Sequence, residues 1–140
     1  MPPETPHITP AELNILKVLW QQGSATVGEV RDVLAGPSAQ PAYTTVMTLM
    51  NQLAAKGVLD VDRSRQPFVY KAAIRRERVL RQRIKDFVHG VFDGQAGELV
   101  MRLVEEGELS AEDLKRIEAK IAQRESTEDQ PRRKGGRKSS

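Results

Sequence analysis

The 140-residue chain contains no cysteine. Disulfides, thiolate zinc sites and cysteine nucleophiles are therefore excluded, and the absence fits a reducing compartment. Histidine is almost missing too: His7 lies in a proline-flanked stretch and His89 near the end of a helical pattern. No HExxH, P-loop, GxGxxG or GxSxG pattern occurs. No catalytic residue, metal site or cofactor is expected, and both histidines read as surface or interface residues. No apolar run approaches the ~20 residues that span a bilayer. Met1-Pro2-Pro3-Glu4 lacks the basic-then-apolar order of a signal peptide. A cytoplasmic protein with no direct membrane binding is expected. Aromatics are few, one Trp, two Tyr and three Phe, which disfavours a large apolar ligand pocket.

Charge of one sign is lacking overall but not locally. Residues 1–85 carry 12 Lys and Arg against 7 Asp and Glu, whereas residues 86–124 carry 5 against 9. A basic first half beside an acidic second half suggests that one part faces a polyanion and the other does not.

Along the chain, Thr9-Pro10-Ala11-Glu12 has the form of a capping box, with Ile8 and Leu13 placed as a hydrophobic staple. Leu13, Leu16, Leu19 and Trp20 continue as a helical stripe, and Gly23 stops it. Thr26 and Glu29 open a second helix whose expected inner face is Val30, Val33 and Leu34, ended by Gly36-Pro37-Ser38. A third helix is predicted from about Tyr43 to Lys56, with Val46, Leu49, Met50 and Leu53 inward and Gly57 as its stop. The period then changes. Val58–Asp62 and Phe68–Lys71 read as two strands around a polar, basic tip, Arg63-Ser64-Arg65-Gln66-Pro67. Three short helices followed by such a hairpin make a winged helix-turn-helix. Beyond it lie a long helix from about Arg76 to Phe92, a short one around Leu99–Val104 and a last one capped by Ser110 and Asp113.

The expected fold is thus mainly α with a small β-hairpin wing, a winged helix-turn-helix followed by a C-terminal three-helix region. The expected divisions are a flexible N-terminus (1–7), a DNA-binding domain (8–74), a helical dimerisation domain (75–124) and a disordered basic tail (125–140). The C-terminal helices carry apolar stripes that so little chain cannot bury alone: Leu80, Ile84, Phe87, Val88 and Val91, then Leu99 and Leu103, then Leu114, Ile117 and Ile121. A symmetric partner would bury them.

The third helix carries the functional reading. Its outer face is Thr44, Thr45, Met47, Thr48, Asn51 and Gln52. Threonine is a mediocre helix former, and an ordinary solvent face would hold more Lys and Glu. Short hydroxyl and amide side chains suit a helix that enters a major groove and meets base edges and thymine methyls. Thr44 and Thr45, with the free amides of the helix start, are placed for phosphate. Thr48, Asn51 and Gln52 are placed for bases, with Asn and Gln suited to adenine. Arg63 and Arg65 on the wing are expected to reach phosphate or the minor groove.

These residues resemble the BlaI/MecI/CopY family of bacterial repressors. The matching stretches are Ile8–Leu13, Val18-Leu19-Trp20, Ala42–Thr48, Leu53–Leu59 with its Leu-x-x-Lys-Gly, and Tyr70 after the wing. The resemblance implies a homodimeric repressor of palindromic double-stranded DNA operators, silencing β-lactamase or related resistance genes. It further implies a membrane sensor metalloprotease pathway in which the repressor is cleaved and loses its dimer, so that two weak half-site contacts no longer act together. Three departures stand out. Gln52 replaces an Arg carried by many relatives, Arg102-Leu103 aligns with the staphylococcal-type scissile Asn-Phe pair, and the C-terminal cysteines of the copper-responsive branch are absent. Two other readings fit the layout: a small-molecule-responsive winged-helix regulator and a winged-helix protein-interaction module. The basic first half argues against the latter.

Overall fold

The computed structural model describes residues 5–35 and 41–129. The Gly36-Pro37-Ser38 stop, the first four residues and the basic cluster beyond residue 129 lie outside these. Two compact units divide between Asp86 and Phe87, inside a helix and not at residue 74.

The first unit holds α1 (Pro10–Gln22), α2 (Val27–Leu34), α3 (Tyr43–Ala55), β1 (Leu59–Asp62), β2 (Val69–Ala72) and the first part of α4 (Arg76–Phe92). Both expected capping boxes form. The Thr9 hydroxyl accepts from the Glu12 amide and the Glu12 carboxylate accepts from the Thr9 amide; Thr26 and Glu29 repeat the arrangement. Gly23, at φ +91°, ends α1. After α3 the chain turns through Gly57, at φ +80°. The Gly57 amide donates to the Ala54 carbonyl and the Val58 amide to the Leu53 carbonyl, a Schellman closure that needs a left-handed residue. It delivers the chain directly into β1.

The strands are antiparallel, with Leu59 opposite Ala72 and Val61 opposite Tyr70. Ala25, between α1 and α2, pairs with Tyr70 on the other edge of β2 through two backbone hydrogen bonds of 2.8 and 2.9 Å. The wing is thereby fastened to the helices. Between them sits a core of Ile15, Leu16, Leu19, Val30, Val46, Met50, Leu53, Val58 and Val79, all fully buried. Burial of each such side chain contributes about 1.5–3 kcal/mol. Trp20 packs against this core and its indole N–H donates to the Ile74 carbonyl at 2.9 Å.

Four local expectations are corrected. Val33 is 47% exposed and Val27 is buried in its place, because α2 is only eight residues long and meets the core through its first turns. Within the stretch expected to be flexible, Thr5 and His7 are held: the Thr5 hydroxyl accepts from Arg78 and the His7 carbonyl from Lys56, and next to them the Ile8 carbonyl accepts from Arg83. Val79 on α4 is buried in the first unit, so that helix begins as part of the first core. Finally, α6 (Ala111–Asp129) runs past the expected end at Arg124. An Arg124–Glu128 pair and a Thr127 hydroxyl donating to the Gln123 carbonyl support the added turn.

The second unit comprises the rest of α4, α5 (Ala96–Glu105) and α6. Phe87 and Phe92 meet edge to face at 5.8 Å. Ser110 and Asp113 cap α6 reciprocally. Among the described residues, none of this unit is buried.

Candidate nucleic-acid interface

One helix, α3, is built with two incompatible faces. Val46, Met50 and Leu53, at helical spacing, are buried. Thr44, Thr45, Met47, Thr48, Asn51 and Gln52 are all exposed. The inward three anchor the helix to the core, so the outward six are held in register by it. No side chain caps the start of α3, in contrast to α1, α2 and α6. The first amides of the helix, beside Thr44 and Thr45, therefore have no side-chain cap, a pairing suited to an anion. Arg31 steadies this end from α2 by donating to the Pro41 carbonyl at 2.8 Å.

The wing tip is ordered by Asp62. Its carboxylate accepts from the Ser64 amide at 3.0 Å and hydroxyl at 2.5 Å, and from Arg65 at 3.2 Å. The Ser64 bonds, with the Arg65 charge, hold the Asp62 carboxyl below its ordinary value. Arg63 lies over the Phe68 ring at 5.7 Å. Of the two expected wing cations, Arg63 is offered on an aromatic platform and Arg65 is partly neutralised, although its side chain stays 68% exposed.

Two contacts behind this surface were not foreseeable from local pattern. The Tyr70 hydroxyl donates to Asn51 Oδ1 at 3.1 Å, joining the wing strand to the outer face of α3. Burial pushes the Tyr70 phenol up, against the lowering effect of Arg63, so it stays a protonated donor at neutral pH. Glu12, buried at the start of α1, accepts from Lys56 at 2.7 Å, and Lys56 also donates to the His7 carbonyl. The far end of α3 is clamped to the first helix in this way. Burial pushes the Glu12 carboxyl up, but hydrogen bonds from Lys56 and Thr9 and the Lys56 charge outweigh it, leaving it lowered. The only signals for these pairs are an acid in a capping box and a lone tyrosine in a strand, neither of which names its partner.

The residues expected to dimerise remain open to varying degrees. Ile84, Phe87, Val91, Leu114 and Ile121 are exposed, and Leu80, Val88, Leu99, Leu103 and Ile117 are half-buried. Met101 and Val104 on α5 add to this apolar surface. The Arg102–Leu103 bond lies within α5, where the Arg102 carbonyl accepts from the Glu106 amide. No helix among the described residues is long and apolar enough to cross a membrane.

The family model described as penicillinase repressor matches residues 8–123. The penicillinase repressor of Bacillus licheniformis is 27% identical over 112 residues, 80% of this chain and 87% of that protein. The methicillin resistance regulatory protein MecI of Staphylococcus aureus is 23% identical over 115 residues, 81% of this chain and 92% of its own length. Among solved structures, the DNA-binding domain of the repressor BlaI is 31% identical, covering 54% of this chain and 90% of that chain, with a TM-score of 0.47. With the family model spanning both units, the chain belongs to the penicillinase repressor family.

Proposed function

We propose that the chain is a sequence-specific, DNA-binding transcriptional repressor that acts as a homodimer on palindromic operators. The observation that carries this is the outer face of α3, where hydroxyls and amides stand exposed on a helix anchored by Val46, Met50 and Leu53. Thr48, Asn51 and Gln52 meet base edges and Met47 a thymine methyl. Thr44, Thr45, Arg63 and Arg65 meet phosphates. Phe87, Val91, Leu114 and Ile121, exposed in the second unit, belong to the dimer surface, and a palindromic operator would place two α3 helices about one DNA turn apart, ~34–36 Å.

Family membership supports assigning resistance or stress genes as targets, since one relative is by name a penicillinase repressor and another a methicillin resistance regulator. Release by proteolysis at Arg102-Leu103 then requires local opening of α5, because a helical peptide bond is closed to a protease.

The test is a mobility shift with the chain's own promoter DNA against a scrambled duplex, across a salt series. Promoter-selective binding that weakens steeply with salt is expected. Equal affinity for both duplexes refutes the function.

A further inference from the structure

The Tyr70–Asn51 hydrogen bond points to how the reading face chooses its base. An asparagine amide reads adenine with both arms, accepting from N6 and donating to N7. That requires oxygen and nitrogen to face the base edge together. Here the oxygen is turned toward Tyr70, which is 3% exposed, while Asn51 itself is exposed. In a planar amide the nitrogen sits on the opposite arm from the oxygen, so the outward arm is the NH2 group, a donor only. Tyr70 is in turn immobilised: its backbone pairs with both Val61 and Ala25. Rotating the amide to bring both arms outward would leave a buried hydroxyl without its acceptor.

We infer that Tyr70 is a specificity-positioning residue that locks Asn51 as a hydrogen-bond donor, selecting guanine or thymine, whose O6 or O4 accepts, over adenine, whose N6 at the same edge donates. The inference rests on the DNA-reading function above. Guanine offers O6 and N7 and thymine O4, whereas adenine's N6 and cytosine's N4 are donors that would face the amide hydrogens. Adenine is left with a single N7 contact and loses the advantage that a free amide would give it. Asn51 touches the base; Tyr70 acts through it.

The experiment uses the full-length chain and a library of duplexes with a randomised core. The enriched site is then scanned base by base with purified wild type, Asn51→Ala and Tyr70→Phe. The base pair whose preference Asn51→Ala erases is the one Asn51 reads. Guanine or thymine is expected there for wild type. Tyr70→Phe keeps the ring and frees the amide, and is expected to move the preference toward adenine by roughly fivefold or more, the lower range for a bidentate pair. A purely structural role for Tyr70 would lower affinity for every sequence alike without moving that preference. If Tyr70→Phe does not fold, the wild-type base at that position still decides. Adenine at that position in wild type overturns the assignment, as does an Asn51→Ala scan that matches wild type everywhere or a folded Tyr70→Phe with unchanged preference. An enriched site in any of these cases leaves the DNA-binding function standing. No enrichment at all by wild type overturns that function and the assignment with it.

Discussion

Glu12 is the one buried charged side chain among the described residues, and its energetics are set by a residue 44 positions away. Its carboxyl is held below the ordinary value near 4.5. A lowered folded value means that the charged form stabilises the fold above the unfolded value, and that this contribution fades as pH falls through the folded one. Urea midpoints are therefore expected to drop for wild type below about pH 4.5, with a shallower drop in Glu12→Gln. At neutral pH the same variant is expected to cost about 1–2 kcal/mol, since a charge-assisted bond is replaced by a neutral one. Lys56 is partly exposed and can turn to water, which limits the loss. The capping role of Glu12 was legible, because Thr9 is three residues away. Its partnership with Lys56 was not, nor that of Asn51 with Tyr70, because both pairs form only when distant segments pack.

Elements were easier to read than contacts. Helical period, caps and the Gly57 stop place α1, α3 and the wing within a residue or two of their observed bounds. The inward set of α2 was misjudged, because one stripe of valines does not say which turns of a short helix reach the core. The wing tip shows the same limit: Arg63 and Arg65 were legible as cations, whereas the restraint by Asp62 depends on how the tip folds back. Asp62→Asn keeps an acceptor for Ser64 and removes the charge beside Arg65. It is expected to tighten non-specific DNA binding several-fold at low salt, with the gain fading as salt screens it. Arg63→Ala is expected to reduce the salt slope of binding by about one, read from fluorescence anisotropy titrations. Thr26→Ala removes an exposed cap and is expected to lower stability by about 1 kcal/mol, seen as an earlier thermal transition.

At the scale of the molecule, the basic and acidic halves of the sequence correspond broadly to a packed first unit and a second unit in which no described residue is buried. Composition and stripes made the split legible. Its place within α4 was not, because the pattern of that helix continues unbroken while Val79 belongs to the first core and Phe87 to the second unit. Replacing Phe87 and Ile121, 49% and 52% exposed, with glutamate is expected to convert the proposed dimer to a monomer in analytical ultracentrifugation. Operator affinity is expected to fall by 10²-fold or more, roughly the loss of bivalent engagement. If the chain dimerises through the second unit as proposed, the number of copies in the cell sets how much of it is assembled. Dilution through growth would then loosen repression gradually, whether or not any signal arrives.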